Sequence, residues 1–447
     1  MGNKIIVIGS GICGLTCAYR LKQQGFDPIV LDRAERLGGR SITNKVNGFI
    51  DDLGGSLLAT TYKEAVQLAD ELGLTSEREP MGAQTELYID GKFHVMSINN
   101  AALSLLSAKF LNWRSKLSLI RLVPIMLKSW SKLNLTNLGG MADIDTESAQ
   151  AFCRRTVTDE VYERLLNPLT RAMYGHDCSE ISVVELLWML KTFAACSTFA
   201  FKGGMETLPQ ALVAQGINVL TSHEVLDVRD SETGVVVRVK SPEGESELTA
   251  DYCAIASDGK DLQRIYGQSL SAAQNDFLDQ LCYNPLYLVY FKFKKRPPVK
   301  GFIVEFTAEE GGDMAALAWY HKWGDSKVPD DKSALIFLGT NDWQFRMQNL
   351  PVEESIAEAK RYVYKYYPEL EAQELSVEVT PWPRATTVGR VGNYRHLHAF
   401  VNDRKHHGRV QYGGDYMAQS SIGTAVATGN DLAKRLLVVI NNGLNNC

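Results

Sequence analysis

The fold is decided at the start of the chain, by the stretch Lys4-Ile5-Ile6-Val7-Ile8-Gly9-Ser10-Gly11-Ile12-Cys13-Gly14. Its first five residues are typical of a buried strand, and Leu15 to Gln24 have the pattern of an amphipathic helix. Gly9 permits a tight turn out of the strand, Gly11 lets a pyrophosphate approach the backbone, and Gly14 lets helix and strand pack closely. The helix N-terminus offers free N–H groups and its positive dipole end to phosphates. The pattern therefore predicts a dinucleotide site.

An acidic residue supports this prediction. The second strand, Pro28 to Leu31, ends at Asp32, eighteen residues beyond Gly14. A carboxylate there can accept hydrogen bonds from both ribose hydroxyls, and it would repel a 2′-phosphate. The run Arg33-Ala34-Glu35-Arg36-Leu37-Gly38-Gly39-Arg40 follows. It supplies a planar cation suited to phosphate and a glycine pair that permits close approach of the backbone to a ligand.

Length and composition limit the class of protein. The chain has 447 residues, 45% of them hydrophobic, and a net charge of −5, which indicates two or three globular domains and gives no sign of a nucleic-acid partner. Its eight cysteines are scattered without zinc spacing, which predicts reduced thiols, no metal site and a cytoplasmic location. Because the first strand begins at residue 4, we expect no cleaved signal peptide, and no apolar run is long enough to span a bilayer.

The rest of the chain alternates between strand and helix patterns. Residues 84–95 predict a hairpin, and residues 101–193 are helical, with a capping box, Ser182-Val183-Val184-Glu185, opening the last helix. Strands return at 216–256, and residues 283–340 alternate in the strand period. The nucleotide-binding strands are therefore interrupted by long insertions.

These motifs resemble those of the FAD-dependent amine oxidoreductase (flavin monoamine oxidase) superfamily, and most closely its protoporphyrinogen-oxidase-like branch. The most specific matches are GSGICGL at 9–15, LDRAERLGGRSIT at 31–43 and DLGGSL at 52–57. The resemblance implies FAD as the cofactor. In such proteins the Gly-Gly-Arg turn wraps the pyrophosphate, with its arginine near phosphate or flavin, and the second glycine pair lies against the isoalloxazine ring.

Three later segments extend the resemblance nearly from end to end. Residues 166–175 look like the helical lobe of that branch, 201–209 like the return to the FAD-binding domain, and 412–425 like the C-terminal flavin motif. The resemblance puts Asp415 beside the ribityl–phosphate end and the helix start near Ile422 at the flavin N1–C2=O edge, where a helix N-terminus stabilises negative charge. The cofactor-binding residues that it implies are Gly9, Gly11, Ile12, Cys13, Gly14, Asp32, Arg33, Gly38, Gly39, Arg40, Leu53, Gly54, Gly55, Ser56, Leu57, Val225, Ala256, Trp382, Gly414, Asp415, Ser421, Ile422 and Ala425.

Pattern and resemblance together predict an α/β fold in three parts. These are a discontinuous Rossmann-like FAD-binding domain, an inserted mixed-sheet substrate-binding domain, and a helical lobe that covers the site or contacts a membrane. The expected limits are 1–75, 195–260 and 385–447 for the first, 76–100 and 261–384 for the second, and 101–194 for the third.

Two departures from the family pattern concern the substrate side. Monoamine and polyamine oxidases usually keep a lysine near flavin N5, but residues 284–290 contain none, and Tyr287 takes that position in our alignment. An aromatic pair often faces the ring in those families, and here Trp382 is the one clear candidate. No catalytic base is evident, so the flavin is expected to drive the chemistry. The candidates for lining the substrate pocket are Trp382, Tyr287, Tyr174 and His321.

Residues 105–135 carry a separate signal. Large apolar residues are interleaved there with six cations and no acidic residue; the cations are Lys109, Arg114, Lys116, Arg121, Lys128 and Lys132. A basic amphipathic helix pair with interfacial tryptophans can lie on an anionic membrane. The pattern therefore allows a peripheral location on the inner face of the membrane. The same pattern fits a lid over the substrate cavity whose lysines are simply solvated.

We therefore expect an FAD-dependent oxidase that removes hydride from a CH–NH or CH–CH unit of a largely apolar small molecule and forms a double bond, in a specialised biosynthetic step. Oxygen is the expected electron acceptor, with a quinone as the alternative. Other interpretations are protoporphyrinogen oxidase itself, and an FAD-dependent desaturase or isomerase that uses no oxygen. A non-catalytic interpretation is an FAD-stabilised membrane adaptor or binding protein.

Overall fold

The central sheet of the molecule is parallel and is assembled from distant parts of the chain. A computed structural model describes residues 3–193, 196–231, 233–404 and 408–444. The sheet has five strands, in the order Asn218–Leu220, Ile29–Leu31, Ile5–Ile8, Tyr252–Ile255 and Val410–Tyr412. The predicted α/β class with a discontinuous Rossmann-like sheet is confirmed.

Helices cover this sheet because its strands are apolar on both faces. All four residues of Ile5–Ile8 are buried, as expected for a parallel strand. The helix that follows begins at Ile12, three residues before the predicted start, and it packs against the last helix of the chain. A Cβ on Gly14 would lie 1.9 Å from the carbonyl oxygen of Gly9, so only glycine allows this close contact between helix and turn.

A second large sheet carries the substrate side of the molecule. It has seven strands, in the order Glu374–Val388, Cys282–Phe293, Ser333–Gly339, Met314–Trp319, Ile303–Phe306, Gln84–Ile89 and Lys92–Ser97. The last two form the predicted hairpin, which joins the sheet by a parallel pairing, and the other pairings are antiparallel. One face packs on a core that includes Phe291, Trp319 and Trp343.

Three smaller sheets contain the other described strands. A two-stranded ribbon, Thr43–Val46 with Phe49–Asp52, leads to the second glycine pair. The others are the three-stranded sets Leu58–Ala59, Thr198–Phe201 and Arg78–Pro80, and Glu224–Asp230, Val235–Ser241 and Gly244–Ala250. The exact domain limits given above stay a prediction.

Helices fill the remaining described residues. The α-helices are Ile12–Gln23, Lys63–Glu71, Ala101–Ser107, Trp113–Ser118, Leu122–Ser129, Ala149–Thr156, Asp159–Val161, Asn167–Tyr174, Val183–Phe193, Thr207–Val213, Gly259–Tyr266, Ala272–Gln280, Ala308–Gly311, Asn341–Met347, Val352–Tyr366, Asn393–Asn402 and Ile422–Leu444. Short 3₁₀ segments are Thr75–Glu77, Leu119–Arg121, Leu138–Met141, Gly267–Ser269, Tyr320–Lys322, Pro368–Gln373 and Asp415–Met417, and Tyr162–Leu166 is a π-helical turn.

The capping box predicted at Ser182 does not form. The backbone N–H of Ser182 donates to the carbonyl of Gly389 at 2.7 Å, so it is not available to the Glu185 side chain. The Ser182 hydroxyl donates to Asp145 at 2.6 Å and accepts from the N–H of Val184. Tertiary partners have therefore replaced the local reciprocal bond that the sequence suggested.

Candidate functional site

A cleft of about 660 Å³ runs along the carboxyl edge of the parallel sheet. Its lining includes Gly9, Asp32 and Ala256, which directly follow three of the strands, and Gly414, which lies two residues beyond a fourth. Ligands of open parallel sheets bind at this edge, because successive loops diverge there and helix N-termini point into the gap. The cleft is therefore where a dinucleotide would lie.

The glycine-rich turn fits the phosphates of such a ligand. A Cβ added to Gly11 would meet no protein atom within 4 Å, so neighbouring protein atoms do not require glycine there. Gly11 caps the helix Ile12–Gln23 without any side-chain partner for its first N–H groups. Open space in front of a free helix N-terminus is the geometry that a pyrophosphate needs.

At one end of the cleft, Asp32 is held in place by its neighbours. Its Oδ2 accepts from the backbone N–H of Ser10 at 2.6 Å and from the Ser10 hydroxyl at 2.7 Å. Its Oδ1 accepts from the N–H of Ala34 at 2.9 Å. Each carboxylate oxygen can accept more than one hydrogen bond, so capacity for ribose hydroxyls remains.

Two cleft-lining segments that are distant in sequence meet through an ion pair. The guanidinium of Arg40 lies 2.7 Å from Asp415 Oδ2 and also donates to the carbonyl of Ala385. Asp415 accepts a second bond, from the Ser420 hydroxyl at 2.7 Å. Motifs nearly 400 residues apart are thus fixed to each other, which orients the arginine toward the cleft.

The structure adds charged residues that the sequence reasoning missed. Arg384 lines the cleft and lies 3.3 Å from Asp258 and 3.4 Å from Asp261, which also pairs with Arg33 at 2.9 Å. Burial raises the pKa of Asp258, and the nearby Asp261 adds to this effect. A signal for Asp258 existed, since it follows the strand Tyr252–Ile255 at the same sheet edge as Asp32.

Most of the predicted cofactor-binding residues line the cleft, and four do not. The four are Gly14, Leu53, Ser56 and Leu57. Gly14 faces the preceding turn, and the carbonyl of Leu53 accepts a hydrogen bond from the Trp382 indole N–H at 2.5 Å. The lining residues among the predicted set are Gly9, Gly11, Ile12, Cys13, Asp32, Arg33, Gly38, Gly39, Arg40, Gly54, Gly55, Val225, Ala256, Trp382, Gly414, Asp415, Ser421, Ile422 and Ala425.

The four pocket candidates separate into two groups. Trp382 lines the cleft, and Tyr174 lines a narrow crevice beside it. Tyr287 packs in the core of the seven-stranded sheet, and its neighbour Leu286 faces the cleft instead. His321 bonds to the Ser333 hydroxyl outside the lining of both cavities, and burial lowers the pKa of His321 to about 4, so this imidazole is neutral near pH 7.

Known proteins match this chain over most of its length. The family model for flavin-containing amine oxidoreductases matches residues 12–437. Protoporphyrinogen oxidase 2, chloroplastic/mitochondrial, from Arabidopsis thaliana is 25% identical over 366 residues, which are 69% of this chain and 68% of that protein. This similarity extends well beyond the dinucleotide motif.

Solved structures share the fold. Putrescine oxidase, solved with putrescine bound, has a TM-score of 0.78 at 17% identity and covers 98% of this chain and 99% of its own. Cyclohexylamine oxidase from Brevibacterium oxydans IH-35A has a TM-score of 0.73 at 19% identity and covers 99% of this chain and 100% of its own. With a family match over residues 12–437 and a cleft that fits a dinucleotide, the chain belongs to the flavin-containing amine oxidoreductase family, whose enzymes use FAD.

Proposed function

We propose that this protein is an oxidase that removes a hydride from a CH–NH or CH–CH unit of a largely apolar small molecule. The observation that carries the proposal is the far end of the cleft, where the apolar side chains of Leu286, Trp382 and Ile422 lie near the Gly54-Gly55 turn. Apolar walls exclude water and favour an apolar substrate. FAD, when bound, supplies the hydride acceptor, and the protein supplies orientation and electrostatics.

The proposed reaction removes two electrons from the substrate and passes them to oxygen. The substrate carbon loses a hydride, the neighbouring nitrogen or carbon loses a proton to solvent, and a double bond forms between the two atoms. Molecular oxygen then takes up two electrons and two protons and becomes hydrogen peroxide. The side chains at the apolar end need only orient the substrate, which agrees with the absence of an evident base among the described residues that line the cleft there.

The rest of the cleft would hold the cofactor in this proposal. Asp32 would accept the ribose hydroxyls, and the turn at Gly11 and the Arg40 guanidinium would hold the phosphates. The N-terminus of the helix Ile422–Leu444 lines the cleft, where its dipole favours the negative charge that two-electron reduction creates.

The test uses FAD-loaded protein in the absence of oxygen. We would add a panel of primary and secondary amines and, separately, a reduced porphyrinogen, and follow the absorbance of the oxidised flavin. Bleaching by a substrate, followed by recovery in air with one hydrogen peroxide for each pair of electrons removed, supports the oxidase. Recovery only with a quinone would identify a dehydrogenase, and product without net bleaching would identify an isomerase. Flavin that no compound reduces would favour a non-catalytic role.

Protoporphyrinogen is the second candidate substrate. It is favoured by the similarity to the Arabidopsis protoporphyrinogen oxidase over 69% of this chain. Its oxidation would proceed by removal of hydride from carbon in the same cleft. Bleaching by the porphyrinogen and by no amine of the panel would select this candidate.

We also propose that residues 105–135 and the neighbouring helix contact an anionic membrane. Eight large apolar side chains between residues 103 and 130 are at least half exposed, among them Leu127 at 72% and Trp113 at 66%; the others are Leu103, Leu106, Leu117, Ile120, Val123 and Trp130. Exposed large apolar side chains concentrated in one segment in this way are unusual on a free protein surface. No helix in the described part of the chain is long and apolar enough to cross a membrane.

Vesicle sedimentation would test the membrane proposal. Binding to vesicles that contain phosphatidylserine, lost at high salt and in Leu127→Glu, is the expected result. Val391→Glu, at an exposed apolar residue outside the segment, is the matched control and should bind normally. If Leu127→Glu changes turnover while the wild type ignores vesicles, the segment is a lid and the membrane proposal is wrong.

A further inference from the structure

A narrow crevice adjoins the apolar end of the cleft. Thr386 lines both cavities, and the crevice continues between Tyr174, Glu185 and Gln419. Its walls therefore come from the helical lobe, the end of the long strand and the C-terminal segment. The crevice does not admit a sphere of the size of a water molecule.

Two buried oxygen atoms in this region have no hydrogen-bond partner in the part of the chain that the structure describes. They are Oε2 of Glu185, which is 2% exposed and lines the crevice, and Oδ1 of Asn284, which is 5% exposed. The Asn284 amide group is anchored by its nitrogen to the His176 ring. Because the crevice that Glu185 lines is too narrow for water, the Oε2 of Glu185 is also not solvated. Leaving such an atom unsatisfied costs about 1–3 kcal/mol.

Glu185 is fixed through one oxygen only. Its Oε1 accepts from the Tyr394 hydroxyl at 2.5 Å. The N–H of Gly389 and the Gln419 side chain lie close enough to favour the charged form, but neither completes a bond to Oε2. Burial, with a smaller contribution from the carboxylate of Asp145, raises the pKa of Glu185 to about 7.

Among the described residues, no cationic side chain pairs with Glu185. Buried carboxylates are normally paired with a cation or with several donors. Glu185 is also released from helix capping, because the Ser182 N–H is already bonded to Gly389. When Glu185 is ionised, its Oε2 is an acceptor-only oxygen, buried beside the site and free on one side, and it is complementary to a nitrogen that carries a proton.

We propose that Glu185 is a specificity-determining residue, whose free Oε2 accepts a hydrogen bond from a protonated nitrogen of the substrate. This inference rests on the proposed function and names its substrate class: an amphipathic amine with an apolar body in the cleft and a nitrogen directed into the crevice. A substrate carboxylate would be repelled by Glu185 and Asp145. The neutral body of the molecule would remain against Leu286 and Trp382.

Access to Glu185 requires a side chain to move. Tyr174 is partly buried, and its hydroxyl donates to the carbonyl of Glu185 at 3.4 Å, a long bond. Rotation of this ring would widen the crevice at little cost in hydrogen bonding. An amine that replaces this contact would gain a charge-assisted bond, which is worth more than the neutral bond that is lost.

The test compares two carboxyl groups that are buried alike. Glu185→Gln keeps an acceptor for Tyr394 but replaces the free oxygen by an N–H donor. Glu305→Gln is the matched control, because burial also raises the pKa of Glu305 to about 7, yet Glu305 bonds to Thr85 in the seven-stranded sheet and lines neither cavity. The probes are benzylamine, n-hexylamine and putrescine, with benzyl alcohol and hexanol as neutral counterparts.

For amines that do not bleach the flavin, binding is measured as a perturbation of the oxidised flavin spectrum in FAD-loaded protein under nitrogen, and amines that bleach it are compared by KM and kcat. We expect the Kd of at least one amine to rise by about tenfold or more in Glu185→Gln, since a hydrogen bond to a charged group is lost. The alcohols should bind equally to both variants, and Glu305→Gln should match the wild type. For an amine that is turned over, KM should rise more than kcat falls, and Glu185→Asp should recover part of the affinity.

Three results would overturn the inference. They are amine affinity that is unchanged in Glu185→Gln, an equal loss for amines and alcohols, and a wild type that binds no amine of the panel. An amine that perturbs the flavin and depends on Glu185, but never reduces the flavin, would instead contradict the proposed oxidase while leaving the role of Glu185 intact.

Discussion

Two buried carboxylates beside the cleft, Asp52 and Glu185, have opposite surroundings. Asp52 precedes the Gly54-Gly55 turn, and both of its oxygens are occupied. Oδ1 accepts from the Thr43 hydroxyl at 2.7 Å and from the N–H of Met205 at 2.6 Å. Oδ2 accepts from the Tyr320 hydroxyl at 2.8 Å and pairs with Lys327 at 2.9 Å, with both charged side chains fully buried. Glu185 has one donor and a free oxygen.

This difference indicates that the turn after Asp52 is held rigid, whereas the crevice at Glu185 can receive a ligand. The network at Asp52 ties the ribbon Phe49–Asp52 to residues more than 150 positions away, so the turn that follows has a fixed position. Complete hydrogen bonding of this kind specifies one conformation. At Glu185 the free oxygen retains its capacity for a partner from outside the chain.

The largest expected effect comes from removing the buried cation. Lys327→Met would leave the Asp52 carboxylate buried without its charge partner, and we expect the free energy of unfolding to fall by about 3–5 kcal/mol. Because Gly54 follows Asp52 by two residues, bound FAD should also be lost. Urea unfolding and the flavin-to-protein absorbance ratio would measure the two effects.

The control for this change is an exposed ion pair. Lys22 lies 2.9 Å from Asp27, whose side chain is 80% exposed. Lys22→Met should change the free energy of unfolding by no more than about 1 kcal/mol. Equal effects of the two lysine variants would mean that the network at Asp52 is not the rigid part of the site.

A second effect follows from the pKa of Glu185. Its ordinary value is 4.5 and its value in the folded protein is about 7, so the folded state keeps a proton that the unfolded chain loses in between. The stability of the wild type relative to Glu185→Gln should therefore fall as the pH rises from about 4.5 to about 7, by about 3 kcal/mol or less, and then level off. Urea midpoints of both proteins at pH 5 and pH 8 would measure this difference.

Glu305→Gln should show the same pH window, because burial raises the pKa of Glu305 by the same cause. A saturating amine distinguishes the two carboxyls. It should reduce the pH dependence that Glu185 contributes, since a cation stabilises the charged form, and leave that of Glu305 unchanged. Equal responses of both carboxyls to the amine would contradict the comparison between Glu185 and Asp52.

The sequence predicts the cofactor side of the site better than the substrate side. The glycine-rich turn, Asp32 and the segments at Arg40 and Asp415 could be found because each is a contiguous motif with its own local geometry. The ion pair between Arg40 and Asp415 could not be predicted, because nothing in the local sequence specifies that two distant motifs contact each other. The partner of Asp52 is 275 residues away and has no motif around it.

The sequence did not predict the substrate side of the site correctly, for physical reasons that are specific to two positions. A register shift between Asn284 and Leu286, at Pro285, changes the alternation of the strand, so Leu286 faces the cleft and Tyr287 faces the core. Glu185 has the spacing of a capping box, but its carboxylate accepts a hydrogen bond from the hydroxyl of Tyr394, 209 residues away. At the site, tertiary contacts therefore override the structure that local sequence patterns predict.

A third effect is expected at Asp32, beside the glycine-rich turn. Asp32→Ala removes the acceptor of three hydrogen bonds from Ser10 and Ala34, together with the proposed ribose contact. We expect the Kd for FAD to rise by about tenfold or more. Asp27→Ala, at an exposed carboxylate, serves as the control. Normal flavin content in Asp32→Ala, measured after dialysis, would remove Asp32 from the cofactor site.

The smallest effect is expected at the boundary between the two regions. Trp382 pairs with Leu286 across the strands, lines the cleft and donates to the carbonyl of Leu53, directly before the fixed turn. In Trp382→Ala, FAD should stay bound because the network at Asp52 is intact, while steady-state kcat should fall by a few-fold as the apolar wall is lost. Trp382→Phe keeps the apolar ring without the N–H, so recovery of kcat would assign the effect to packing. Unchanged kinetics in Trp382→Ala would mean that the substrate lies closer to Glu185 than to this wall.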